Sequence, residues 1–74
     1  MACRVGITTD PNRRKREWET QYPTLRNWMI MGQYNTKSEA QKRENEVALL
    51  YGCVSAPGGA GNEYDTWYVY KFDY

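Results

Sequence analysis

The chain has 74 residues, 10 Lys or Arg against 9 Asp or Glu, two Cys and no His. That length allows one domain, spanning residues 1–74, whose single core supplies about 3 to 5 kcal/mol of net stability, so every buried polar group is costly. The missing histidine excludes Ser-His and Cys-His nucleophiles and histidine metal ligands, leaving Tyr, Arg, Lys and carboxylates to carry any chemistry.

Charge is segregated along the chain. Nine Lys or Arg and four Asp or Glu fall between Met1 and Arg43, against one and five from Glu44 onward. A basic face of this kind attracts anions although the net charge is only +1. Cys3 and Cys53 have neither disulfide-framework nor zinc-site spacing, so two buried reduced thiols are expected. No apolar run reaches membrane-spanning length and the N-terminus lacks a signal-peptide layout, which together predict a cytoplasmic protein.

In chain order, Ala2 to Thr8 reads as a strand with Cys3, Val5 and Ile7 on one face. Asp10 then offers an N-cap and Pro11 a first helical residue, so a helix should run to about Gln21 and stop near Pro23. LRNWMIMGQY, Leu25 to Tyr34, reads as a second strand with Trp28, Ile30 and Tyr34 on one face and Met29 and Met31 on the other. Thr36 and Glu39 form a capping-box pattern before a longer helix that ends at Gly52. SAPGGAGNEYD follows as a Gly-rich connector that lacks the Gly-Lys-Ser/Thr of a phosphate loop. TWYVYKFDY is the third strand, with Tyr68, Tyr70, Phe72 and Tyr74 on one face and Trp67 and Val69 on the other. The expected fold is therefore α+β, in β-α-β-α-β order, with a three-stranded sheet and two helices.

Three features bear on chemistry. Arg13, Arg14, Lys15 and Arg16 crowd the positive end of the first helix, a placement that costs about 0.3 to 1 kcal/mol per exposed cation and that a phosphate would relieve. Spacing of four puts Arg14, Trp18 and Tyr22 on the sheet-facing stripe, while Arg13, Lys15 and Arg16 fan outward. A solvated basic face, with Glu17 and Glu19 compensating, is the plainer alternative. Glu44 falls in the middle of the apolar stripe formed by Ala40, Val47 and Tyr51. A carboxylate there must be paired, metal-bound or at a cleft edge, and Arg14 and Arg4 are its candidate partners. In the last strand most tyrosines are packing, but one hydroxyl beside a guanidinium can serve as a general base.

VGITTDPNRR, the following strand and KSEAQKRE together resemble the second half of the GIY-YIG nuclease domain over roughly Val5 to Tyr51. In that family a strand ending in Tyr-Ile-Gly leads to a helix with a catalytic arginine, and a later helix carries the glutamate that binds one divalent metal. Val5-Gly6 matches the strand end, Arg14 stands eight residues after that glycine, and Glu44 lies in the segment similar to the metal-binding helix. Arg4 replaces the tyrosine of the second motif, and Trp18 stands where many members have histidine. The first motif strand has no room before Ala2, so WYVYKFDY is expected beside the first strand in its place, as in a circular permutation, with Tyr70 near the lost tyrosine.

The resemblance implies a nucleic-acid-processing domain, with DNA as the expected partner. Tyr70, or Tyr68, would position or deprotonate water, Arg14 would stabilise phosphorane charge, and Glu44 would hold Mg2+. Arg4, Arg13, Lys15 and Arg16 would contact phosphates. The alternatives are a catalytically silent binding module of the same fold and a protein-interaction or homodimer unit that pairs through the last strand or a short edge.

Overall fold

A computed structural model describes residues 2–56 and 61–74. Pro57 to Ala60, the centre of the expected Gly-rich connector, lie outside the described residues. The elements are β1 (Cys3–Thr8), α1 (Pro11–Gln21), β2 (Arg26–Tyr34), α2 (Lys37–Tyr51), β3 (Val54–Ser55) and β4 (Trp67–Asp73). The fold is α+β with two helices.

Local chemistry sets both helices. Asp10 accepts from the Arg13 N–H at 3.2 Å and Pro11 occupies the first turn, so the start of α1 is capped by its own carboxylate. Thr36 caps α2 by accepting from the Glu39 N–H, and its hydroxyl donates to the Glu39 carboxylate at 3.0 Å. Glu63 fills the same helix end, accepting from the Ser38 N–H at 2.7 Å and from the Ser38 hydroxyl at 3.0 Å. Gly52 ends α2 at φ 66°, left-handed backbone that a side chain would strain.

The sheet corrects the expected count. It has four strands in the order β2-β4-β1-β3, because Val54 and Ser55 pair in parallel with Arg4 and Val5. Two residues show no alternation, so pattern alone cannot reveal such a strand. β4 is interior, antiparallel to β1 from Cys3 opposite Asp73 to Thr8 opposite Tyr68, and antiparallel to β2 on its other side. With both sides hydrogen-bonded, the last strand has no edge to offer a second chain, which removes it as a dimerisation strand. The free edges among the described residues belong to β2 and β3. The ends of β4 and β1 also meet: the Ala2 and Tyr74 backbones exchange hydrogen bonds of 3.3 and 3.0 Å.

One sheet face packs on α2. Val5, Ile7, Trp67 and Val69 meet Ala40, Val47 and Ala48, with Met31, Tyr34 and Cys53 around them. Tyr34 therefore does not share a face with Trp28. Register shifts between Arg26 and Met29 and between Ile30 and Gly32 break the strict alternation expected of β2. The apolar stripe of α2 also ends sooner than expected, since Leu50 and Tyr51 are exposed; the Lys71 ammonium sits 5.3 Å from the centre of the Tyr51 ring.

The other face is aromatic. Tyr70 and Phe72 of β4, with Tyr74 just after it, line up with Trp28 of β2. Trp18 of α1 and Tyr22, which caps its end, cover part of this layer. No residue of α1 is fully buried, so the helix is held mainly by these two rings.

Cys3 and Cys53 form a disulfide, not the expected pair of reduced thiols. Pairing of β1 with β3 brings them together across 50 residues of sequence, a proximity that their spacing does not signal.

Candidate active site

The site begins at Gly6. It stands opposite Tyr70 in the β1–β4 ladder, and Tyr70 lies across it so closely that a β-carbon there would collide with the phenol oxygen. Only glycine lets the ring reach over β1, which gives the Val5-Gly6 pair a physical role. The Tyr70 side chain is 1% exposed, and its oxygen accepts from the Trp18 indole N–H at 2.8 Å. Indole has no acceptor, so the phenolic proton is left to point elsewhere.

Burial raises the Tyr70 pKa; the Trp18 hydrogen bond and the Arg14 charge oppose the rise, Glu44 adds to it and Arg4 opposes it. Arg14, Glu44 and Arg4 thus all lie within electrostatic reach of one hydroxyl. Tyr70 is consequently a neutral phenol at physiological pH, suited to holding a water rather than deprotonating it.

Glu44 is 1% exposed on the inner side of α2. Neither expected partner reaches it: Arg14 pairs instead with Glu17 at 3.5 Å, one turn along its own helix, and no ion pair to Glu44 exists among the described residues. Its contacts are neutral. The Gln41 amide donates to it at 3.3 Å and the Ser55 hydroxyl faces it from β3. Burial pushes its pKa up to about 7, with the Ser55 hydrogen bond opposing. Below that pH the acid escapes the cost of an unpaired buried charge by keeping its proton.

Arg4 is enclosed. Its guanidinium carbon lies 5.2 Å from the Trp18 ring centre, 5.8 Å from that of Tyr22 and 5.7 Å from that of Tyr74, and it donates to the Tyr22 and Tyr74 hydroxyls at 3.3 and 3.4 Å. Its Nε is buried without a partner among the described residues. Arg13 and Arg16 are exposed and Lys15 is half-buried; Arg13 pairs with Glu17 at 3.6 Å.

Of the residues selected from sequence, Tyr70 is held by Trp18 and Arg4 by Trp18, Tyr22 and Tyr74. Arg14 pairs with Glu17 on the same helix as Arg13, Lys15 and Arg16, and Glu44 lies on α2 beside Gln41. Arg14, Arg4 and Glu44 reach Tyr70 through their charges and not by contact. Gln41, Ser55 and the Trp18 hydrogen bond were not foreseen. Gln41, three residues before Glu44, carried a readable helical spacing; Ser55 sits on the unread strand. Among the described residues no group of three or more His, Cys, Asp or Glu could hold a metal, and no helix is long and apolar enough to cross a membrane. No family model, curated protein or solved structure matches the chain.

Proposed function

We propose that the chain is a nucleic-acid-processing domain of the GIY-YIG kind that hydrolyses a phosphodiester bond, DNA being the expected substrate, with its motif strands in permuted order. The observation that carries this reading is Tyr70, laid across Gly6 of the matched motif and held there by the Trp18 indole, with Arg14 and Glu44 shifting its ionisation in opposite directions. β4 beside β1, their ends hydrogen-bonded, is the arrangement that a hairpin opened at its turn would leave.

In this reading Arg14 stabilises the charge that develops on the phosphorus oxygens. Its side chain is 29% exposed and tied to Glu17 only on the helix surface, so it can turn to a phosphate. Tyr70, fixed by Trp18, positions the attacking water. Arg13, Lys15 and Arg16 hold flanking phosphates, and Arg4 acts on Tyr70 from within its aromatic cage.

The cofactor implied is Mg2+, and the donors at Glu44 fit a hard cation: a carboxylate, the Ser55 hydroxyl and the amide oxygen of Gln41 on rotation of its side chain. A buried acid with no cation beside it gains a partner when a metal replaces its proton. With one charged ligand the protein holds such an ion weakly, so substrate oxygens must complete the shell. Once bound, it would act as a Lewis acid toward the leaving oxygen.

The 1% exposure of Glu44 favours a second reading, a silent nucleic-acid-binding module in which this acid only packs. A homodimer would have to use the β2 or β3 edge. The cytoplasmic setting expected from composition suits reduced thiols, whereas a persistent disulfide fits oxidising surroundings. Nicking of supercoiled DNA separates the readings. Wild type should nick only with Mg2+, and Arg14→Ala and Glu44→Gln should each lose roughly 100- to 1000-fold in rate. Binding without nicking would favour the silent module, and equal rates in the variants would refute the assigned roles.

A further inference from the structure

β2 carries a local irregularity at Asn27. Asn27 has φ 57°, left-handed backbone that a non-glycine residue adopts at a cost and that clusters where side chains are specially aimed. It sits in the register shift between Arg26 and Met29, and its amide is anchored to the Asp73 carboxylate at 2.9 Å. The next residue is Trp28. Its indole lies flat against Tyr70, with centres 4.7 Å apart and planes 14° apart, and against Phe72 at 5.8 Å and 19°. A bulge re-aims a side chain in this way.

Trp28 is half-buried, and both rings it meets belong to β4. Helix α1 covers the β1 and β4 part of this face through Trp18 and Tyr22. The β2 part stays open: Ile30, opposite Tyr70 in the ladder, is 46% exposed. A flat indole is thereby presented at a sheet edge against the Tyr70 ring.

We infer that Trp28 is a stacking platform for an unpaired nucleobase, so that the site takes single-stranded nucleic acid or the unpaired part of a duplex. The inference rests on the nucleic-acid reading above. Charge complementarity supports this occupant, since the basic α1 covers the neighbouring part of the same face through Trp18. A paired base, stacked on both sides in its helix, has no free face to offer.

The test is binding of labelled oligothymidylate and of a hairpin duplex by wild type, Trp28→Phe and Trp28→Ala, across a salt series. Trp28→Ala should lose about 5- to 150-fold in affinity for the single strand, with its salt slope and duplex affinity unchanged. Trp28→Phe, which keeps a ring, should fall between. In wild type labelled with 5-fluorotryptophan, the Trp28 fluorine resonance should shift on adding the single strand, a readout independent of variant folding. Unchanged single-strand affinity in Trp28→Ala, or an unmoved fluorine signal on saturation, would overturn the platform while leaving the nuclease reading intact. A wild type that binds neither nucleic acid removes both.

Discussion

Reducing the Cys3–Cys53 disulfide should lower the unfolding free energy of the protein by about 4 kcal/mol. The bond closes a loop of 50 residues, and the chain entropy removed by closing a loop of that size is worth about 4 kcal/mol. The single core of a domain this small supplies about 3 to 5 kcal/mol, so the crosslink contributes a comparable amount. The crosslink also holds Cys53 against β1 at the point where Val54 and Ser55 join the sheet. Ser55 is one of the two neutral groups facing Glu44, so its release should loosen the acid's surroundings as well. Urea unfolding followed by circular dichroism, with and without a thiol reductant and in Cys3→Ser/Cys53→Ser, measures the effect. A midpoint that does not move would mean that β3 holds without its bond.

Glu44→Gln should stabilise the protein at alkaline pH by about 3 kcal/mol and leave it nearly unchanged in acid, since each tenfold change in proton affinity between the folded and unfolded states is worth about 1.4 kcal/mol. The folded acid keeps its proton up to about 7, whereas the ordinary value is 4.5. Between those values the unfolded chain has lost a proton that the folded chain retains, so rising pH favours unfolding. Glu44's contribution is thus fully present below pH 4.5 and is lost as pH passes 7. Glutamine keeps the shape and the hydrogen bonds but has no proton to lose. The difference between wild type and variant, from urea midpoints across the pH range, isolates this group from Asp73 and Glu63, whose pKa values are lowered instead. A difference that does not vary with pH would mean that the carboxylate is charged throughout.

The parts of the fold written in local chemistry were legible. Asp10-Pro11, Thr36 with Glu39, and Gly52 marked the helix ends because caps depend on residues a few positions apart. The aromatic alternation of β4 gave both its strand and its faces. What local pattern omits is a two-residue strand, a bulge and a long-range crosslink. β3 becomes a strand only because β1 is beside it, and the left-handed Asn27 turns Trp28 onto Tyr70 although the residue types of β2 suggest plain alternation. The candidate site was legible for similar reasons. Glu44 stood out because helical periodicity put it inside, and the same periodicity offered Arg14 a nearer carboxylate in Glu17. The expected ion pair lost to that local one, leaving the buried acid among neutral groups.

Both the stability and the proposed chemistry turn on Glu44 being a protonated, metal-receptive acid. A carbon-13 NMR titration of the Glu44 carboxyl, with and without millimolar Mg2+, measures this directly. A midpoint about 7 without metal, displaced toward acid when Mg2+ is present, is the predicted result. A midpoint at the ordinary glutamate value, or one that Mg2+ leaves in place, would contradict it.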